Sequence, residues 1–345
     1  MTLLHSFAFG IATHNSRSEI IEVFYPAPQF KPSASVSQLL VETFNLEPES
    51  NQTLEVSAET VESLLSGFIE LNEEELARTL QAMLSSEKTL ILCALSIDTP
   101  PLTVPEAFLK LHLLSHRLVL PHQVDLSGMF GVLKNLAWTN QGPIDLEDLP
   151  AKQLEARLTG QFLSIETVDK FPKMTNYVVP KGVRIADTSR VRLGAYLGEG
   201  TTIMHEGFVN FNAGTKGAAM IEGRISAGVI VDENSDLGGG CSTMGTLSGG
   251  GTEIISVGKN CLIGANGGIG FPLANGCIIE AGLYVTAGTK VQLLDASGQI
   301  KSTVKALELA GQEDMLFRRN SLTGTVECVP LKTSITLNEE LHSNN

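Results

Sequence analysis

Glu222 and Arg224 stand two residues apart in Ile221-Glu222-Gly223-Arg224. A carboxylate can take a proton from an attacking amine, or attack an activated carbonyl itself. A guanidinium beside it can grip a substrate carboxylate through paired hydrogen bonds. The plain alternative is a solvated ion pair, contributing less than about 1 kcal/mol; on residue types alone both readings stand. Slightly earlier, Met204-His205-Glu206-Gly207-Phe208 sets a His beside a Glu. His205 is the only histidine between residues 181 and 292. Zinc held by prism histidines needs several of them, so His205 reads as a solvated or corner-packing side chain. The glycine runs Gly238-Gly239-Gly240 and Gly249-Gly250-Gly251 read as tight turns. Their bare N–H groups also suit a thioester oxygen or a pantetheine amide. Phe317-Arg318-Arg319-Asn320-Ser321, with Lys305 nearby in sequence, reads either as a solvated strand end or as a phosphate clamp. Taken together, these features describe a coenzyme A site laid along an edge and closed by the tail.

The elements that must hold these residues announce themselves by a period of six. Val191, Leu197, Ile203 and Val209 keep one phase, which passes through Thr215, the one polar member, to Ile221. It restarts at Ile225, Val231 and Leu237, again at Val257, Ile263 and Ile269, and finally at Ile279, Val285 and Val291. Small residues often follow, as at Gly198, Gly238, Gly258, Gly264 and Gly270. Neither a strand period of two nor a helical 3.6 produces this spacing. It marks a parallel β-helix, short strands wound around a triangular prism; a Gly-rich sandwich with accidental spacing is the bland alternative. The Glu222–Arg224 pair sits where the phase slips. Between Thr243 and Ile254 the repeat stops, which reads as a loop thrown off the prism.

Composition bounds the rest. The net charge of −14 argues against nucleic acid and acidic membranes. Residues 1–180 hold 11 Lys/Arg against 22 Asp/Glu, whereas residues 181–292 hold 8 against 9 and residues 293–345 hold 5 against 7. An anionic small molecule would therefore meet little bulk repulsion at the repeat. There is no apolar run of membrane-spanning length, and the first residues lack the basic start of a signal peptide. Cys93, Cys241, Cys261, Cys277 and Cys328 are odd in number and unclustered, which suits reduced core residues of a cytoplasmic protein. Ahead of the repeat, strands are expected at Ser6–Ala12, Ile20–Tyr25 and Thr89–Ile97. Helices are expected at Asn72–Leu84, capped by Asn72, at Val104–Leu118 and at Leu146–Leu158. A further helix is expected near Val304–Ala310, followed by alternating strands up to Val329, with a frayed end at His342–Asn345.

The stretch from Val191 to Lys290, read with the tail, resembles a known family. The strings are VRLGA (191–195), MHEGFVNFNAG (204–214), EGRISAG (222–228), GTLSGGG (245–251), EAGLYVTAG (280–288) and LFRRNS (316–321). They are similar to the long-chain 2,3,4,5-tetrahydropyridine-2,6-dicarboxylate N-succinyltransferases, within the hexapeptide-repeat transferases. The resemblance implies a mixed fold. It has an N-terminal α/β domain (1–120), a helical connector (121–180), a catalytic left-handed β-helix (181–292) and a small C-terminal α/β extension closing the coenzyme A site (293–345). It implies a cytoplasmic homotrimer with active sites between neighbouring prisms. The implied reaction moves succinyl from succinyl-CoA to tetrahydrodipicolinate in its open 2-amino-6-oxopimelate form, a step towards diaminopimelate and lysine. Glu222 matches the family's catalytic glutamate, which forms an acyl anhydride. Arg224, Gly239, Ser242, Ala265, Glu280, Ala281, Gly288, Lys305, Arg318, Arg319, Asn320 and Ser321 match its succinyl-CoA-binding positions. Glu206 matches a ligand for Mg2+ near the trimer axis; where some relatives carry a second ligand Asp, this chain has Ser189, with Asp187 two residues before. The alternatives are a hexapeptide acetyltransferase, which needs no arginine for the acyl tail, and a non-enzymatic prism scaffold, which needs neither Glu-Gly-Arg nor a basic tail.

Overall fold

The computed structural model describes residues 4–245 and 254–331. The second glycine run, most of the GTLSGGG string and the end at His342–Asn345 fall outside the described residues. Two compact units emerge, one of Met1–Val119, Gln123–Pro172 and Asn176–Val178, the other of Leu120–His122, Lys173–Thr175 and Val179–Asn345.

In the first unit, β-branched and aromatic residues build an antiparallel sheet. Its strands are β1 (Ser6–His14), β2 (Ile20–Phe24), β3 (Gln29–Phe30), β4 (Gln52–Glu55) and β5 (Leu90–Leu95). The order is β2-β1-β5-β4, with β3 also against β1. Alternation puts Phe7 and Phe9 of β1 on one face beside Leu92 and Ala94 of β5. Apolar faces of α1 (Ala34–Phe44), α2 (Ala58–Glu70) and α3 (Glu74–Met83) close that core through Leu40, Leu64, Phe68 and Leu80. Ser33 and Ser57 cap α1 and α2, each accepting a backbone N–H in the first turn; these two helices are additions to the sequence reading. Asn72 does not cap α3. Its φ of 60° turns the chain after α2, and its N–H donates to the Ile69 carbonyl. The next helix, α4 (Val104–Ser115), stops short of Leu118 because Arg117 takes a left-handed φ of 62°.

The stretch expected to be a helical connector carries α5 (Met129–Val132), β6 (Leu136–Thr139), β7 (Gly142–Asp145), α6 (Leu149–Leu158) and β8 (Ile165–Asp169). Its sheet is ordered β7-β6-β8. α6 starts after Leu146 because Glu147 and Asp148 are held in a turn on Asp145, at 3.1 and 3.0 Å.

The second unit is the expected parallel coil. Three parallel sheets run through Ala195–Leu197, Thr201–Ile203 and Phe208–Val209 respectively, and successive coils stack in register on each. The fifteen residues of the six-period, Val191 to Val291, point inward and are at most 1% exposed. Burying each aliphatic side chain contributes about 1.5–3 kcal/mol. Thr215 is tolerated inside because its hydroxyl meets that of Thr201 at 2.6 Å, and Thr201 reaches the Gly217 carbonyl at 2.9 Å. The tail extends one sheet: Met315–Arg319 pairs in parallel with Ile278–Ile279 and antiparallel with Val326–Pro330. Lys290–Leu294 and Ile300–Lys305 form a hairpin beside it. The helix expected near Val304 is a short 3-10 turn, Ala306–Leu309, because the hairpin strand runs on to Lys305.

Candidate active site

Most of the candidate residues lie along one edge of the prism. That edge joins the sheet of Thr201–Ile203, Ala219–Ile221, Ser235–Leu237, Leu262–Ile263 and Ile278–Ile279 to the sheet that begins at Phe208, Arg224, Ser242, Gly268 and Tyr284. Glu206, Glu222, Gly239, Ala265, Glu280 with Ala281, and Arg318 to Ser321 therefore follow one another from coil to coil. Backbone bonds set the spacing. Glu222 donates to Leu237 at 2.8 Å, Asn266 to Gly239 at 2.9 Å, Gly282 to Ala265 at 2.8 Å and Glu280 to Phe317 at 2.9 Å. The Arg319 N–H donates to the Glu280 carboxylate at 2.7 Å, which ties the tail to the edge.

The phase slip is a shortened corner. Four residues, 204–207, separate the strands ending at Ile203 and starting at Phe208, whereas only Glu222 and Gly223 separate Ile221 from Arg224. A Cβ on Gly223 would lie 2.3 Å from Cys241 Sγ and 2.6 Å from the Cys241 carbonyl, so only glycine fits there. The short corner aims Glu222 along the edge. Its Oε2 lies 3.5 Å from where a Cβ on Gly239 would sit, and Glu206 Oε2 lies 3.9 Å from the same point. Two carboxylates thus converge over a residue with no side chain, which leaves room for a ligand atom.

Arg224 opens the next face and points outward, exposed. No ion pair joins it to Glu222, although they are two residues apart: one sits on the corner, the other on the face. Across that face Arg224 is in register with Phe208 and Ser242, and Ser242 with Gly268. Gly268 is in register with Tyr284, whose ring lies 2.4 Å from the point a Gly268 Cβ would occupy. The ring covers the bare backbone of Gly268. Tyr284 is an exposed aromatic beside the edge that the sequence reading missed; its place immediately before the inward Val285 was the available signal.

The tail brings Lys305 close to Gly288, because Leu307 donates to the Ala287 carbonyl at 3.2 Å and Ala306 to Thr289 at 2.9 Å. Lys305 lies directly opposite Lys290 in the hairpin ladder, with both side chains exposed. Like charges facing each other across a ladder are unfavourable unless an anion bridges them. Lys290 was also missed, since fourteen residues separate it from Lys305 and only the hairpin pairs them. The basic cluster divides. Arg318 bonds the buried Glu327 at 3.0 Å, and Asn320 bonds the same carboxylate at 2.8 Å. The Arg319 guanidinium is exposed and donates to the Gly324 carbonyl at 3.0 Å; Ser321 is exposed.

Glu206 is exposed, and Arg190 braces its turn by donating to the Glu206 and Gly207 carbonyls at 2.9 and 3.0 Å. Among the described residues no three His, Cys, Asp or Glu side chains converge as a metal site. Asp187, two residues before Ser189, accepts both the N–H and the hydroxyl of Ser189 on its Oδ1, at 3.0 and 2.6 Å. Those hydrogen bonds hold the Asp187 carboxyl below its ordinary value. Glu206 and Glu222 are the two carboxylates that meet over Gly239, and no third ligating side chain joins them among the described residues. The Cys241, Cys261 and Cys328 thiols are buried and free, and burial pushes each up to about 12, so they are inert packing groups. No helix of the described residues is long and apolar enough to cross a membrane.

Comparison with known proteins matches two family models. Residues 133–173 match "Tetrahydrodipicolinate N-succinyltransferase middle", and residues 254–287 match "Hexapeptide repeat of succinyl-transferase". The chain is 57% identical over 342 residues to a 2,3,4,5-tetrahydropyridine-2,6-dicarboxylate N-succinyltransferase of Pseudomonas paraeruginosa, covering 99% of each. It is 53% identical to one of Vibrio cholerae, covering 98% of this chain and 99% of the relative. A solved structure from Campylobacter jejuni, described as a 2,3,4,5-tetrahydropyridine-2-carboxylate N-succinyltransferase, superposes with a TM-score of 0.87 at 34% identity, covering 96% of this chain and 94% of that one.

Proposed function

The chain belongs to the 2,3,4,5-tetrahydropyridine-2,6-dicarboxylate N-succinyltransferases, and from that premise we propose that Glu222, set over Gly239, carries out its acyl transfer. The enzyme moves succinyl from succinyl-CoA to the amine of 2-amino-6-oxopimelate, the open form of tetrahydrodipicolinate. The products are N-succinyl-2-amino-6-oxopimelate and CoA, in the diaminopimelate route to lysine. The observation that carries the proposal is the convergence of the Glu222 carboxylate on the open space above Gly239. A thioester seated there has its carbonyl carbon beside a carboxylate oxygen.

The same oxygen can act in two ways. As a nucleophile it attacks the thioester carbon, the C–S bond breaks and CoA leaves as the thiolate. The amine then attacks the anhydride, releasing the Glu222 carboxylate and a proton, which the thiolate takes up. As a base, Glu222 accepts the amine proton while the nitrogen attacks the thioester directly; the C–S bond breaks and CoA leaves as the thiolate, which takes up that proton. Hydroxylamine trapping of a labelled enzyme distinguishes the two. Arg224, exposed and joined by no ion pair to Glu222, takes a carboxylate of the dicarboxylic acceptor or of the succinyl tail. Ser242, in register with Arg224, lines the same face. Gly239, Ala265, Glu280, Ala281 and Gly288 let the pantetheine arm lie close against the backbone. Lys305 and Arg319, with Lys290 opposite Lys305, meet the phosphates. Arg318 and Asn320 shape that end through Glu327, and Ser321 completes it, so that residues 293–345 close the coenzyme A site.

The fold of this reading is a left-handed coil, and its assembly is a cytoplasmic homotrimer whose sites lie between neighbouring prisms. Three copies of Glu206 around the axis would supply carboxylates for a partly hydrated Mg2+, and their mutual repulsion calls for a cation. No step of the reaction is assigned to that ion. Sedimentation of wild type and Glu206→Gln, with and without chelator, tests the assembly; a monomeric wild type overturns it. The donor is tested by mass spectrometry of the product when succinyl-CoA and acetyl-CoA compete for the cyclic dicarboxylate. A mainly acetylated product overturns the role given to Arg224.

A further inference from the structure

The first unit contains a cavity that acyl transfer does not use. Its volume is about 580 Å3, within the usual range for small-molecule sites, and Thr13, Glu22, Phe24, Lys88, Trp138 and Tyr177 line it. The β1–β2 register explains its floor. Thr13 pairs with Glu22 and Ile11 with Phe24, so these side chains project from one face of the sheet. Further along the same face of β1, Phe7 and Phe9 enter the core. Glu22 is therefore a carboxylate where an aliphatic residue would continue the pattern, and it is only 6% exposed. Burial raises its carboxyl above the ordinary value, and the nearby Thr13 and Tyr177 hydroxyls oppose that rise. Lys88, exposed at the rim, donates to Thr13 Oγ1 at 3.1 Å. A buried carboxylate is a weak device for stability, because desolvation cancels most of what its partners return.

Phe24, Trp138 and Tyr177 supply aromatic wall, and Ser86, Glu87, Thr139 and Asn176 add polar wall. The Phe24 and Tyr177 rings stand 6.2 Å apart. Trp138 is held by its Nε1, which donates to the Asp169 carbonyl at 2.9 Å. Aromatic faces beside a buried carboxylate recognise an ammonium group through cation–π attraction and charge-assisted hydrogen bonds. Lys88, a cation at the rim next to Thr13, suits a carboxylate. We infer that this cavity binds a small free amino acid, with its ammonium group against Glu22 and the aromatic rings and its carboxylate against Lys88. This inference shares no residue with the transferase proposal and stands or falls separately.

The chain supplies its own reporter, since Trp138 is its only tryptophan. The full-length protein is titrated with each non-aromatic protein amino acid, with n-butylamine and butyrate as single-charge controls. At least one amino acid should change Trp138 emission saturably at millimolar concentration or below. The change should vanish in Lys88→Met and weaken by about tenfold or more in Glu22→Gln, a loss of about 1.4 kcal/mol. Glu22→Gln keeps the side-chain volume and a carbonyl acceptor. If it nevertheless fails to fold, Lys88→Met, altered only at an exposed side chain, still decides the matter. The inference is overturned by the absence of saturable change with every amino acid, or by a change undiminished in Lys88→Met. It is also overturned if butylamine binds as well as the amino acid.

Discussion

Two glycines at neighbouring coils, Gly223 and Gly239, test the site from opposite directions when each is changed to alanine. In Gly223→Ala the new methyl would lie 2.3 Å from Cys241 Sγ and 2.6 Å from the Cys241 carbonyl. Both contacts fall about 1 Å or more short of van der Waals distance, and one is to backbone that cannot rotate away. Overpacking of this kind costs about 3 kcal/mol, the upper part of the usual range. For a unit of this size that lowers Tm by about 6–12 °C. In Gly239→Ala the nearest atoms are Glu222 Oε2 at 3.5 Å and Glu206 Oε2 at 3.9 Å, which are ordinary contacts. The variant should keep its Tm to within about 2 °C. The methyl nevertheless occupies the space assigned to the thioester, and displacing a reacting carbonyl by about 1 Å costs about 10²-fold in rate. Differential scanning calorimetry and steady-state kinetics with succinyl-CoA therefore give a crossed result: Gly223→Ala loses stability, whereas Gly239→Ala loses kcat/KM at unchanged stability. A Gly239→Ala enzyme with wild-type kcat/KM refutes the placement of the reaction over Gly239. A Gly223→Ala enzyme with wild-type Tm refutes the packing of the short corner.

Glu222→Gln should fold and lose about 10²–10⁴-fold in turnover, because the amide neither accepts a proton nor attacks a thioester; near wild-type turnover would remove Glu222 from the chemistry. Lys290→Ala and Lys305→Ala should each raise KM for succinyl-CoA more than they lower kcat, since phosphate contacts far from the reacting carbon serve ground and transition states alike. A variant that loses kcat at unchanged KM would place that lysine elsewhere. Burial holds His112 at about 3 and His116 at about 4, both below their ordinary 6.5. Below that value the unfolded chain takes up protons that the folded first unit refuses, so stability is full above it and declines as the pH falls towards the folded values. Glu22, raised by burial, acts in the opposite sense, with one carboxyl against two imidazoles. Thermal unfolding followed by Trp138 emission should show a lower Tm at about pH 5 than at about pH 7, and a flat profile would contradict the buried neutral pair.

The repeat was legible because a stacked coil is a nearest-neighbour object: each inward residue needs only the coil above and the coil below. The spacing of six from Val191 to Val291 therefore named the inward set, all of which are buried. The phase slip at Ile221 to Ile225 marked the corner that carries Glu222. Local spacing could not show where that corner points. The meeting of Glu206 and Glu222 at Gly239 depends on the rise from one coil to the next, and the absence of an ion pair between Glu222 and Arg224 on the angle between edge and face. The tail was least legible. A hairpin sets Lys290 against Lys305, and an antiparallel ladder gives Arg318 to Glu327, because backbone hydrogen bonds pair residues distant in sequence. In the first unit, the type of Asn72 suits both a helix cap and a left-handed turn, and only the closing of α2, where its φ is 60°, decides between them. Sequence by itself determined the coil, its inward residues and the corner where chemistry was to be sought. Tertiary structure alone decided which side chains meet there, because their contacts span coils, hairpins and ladders that no periodicity in the chain records.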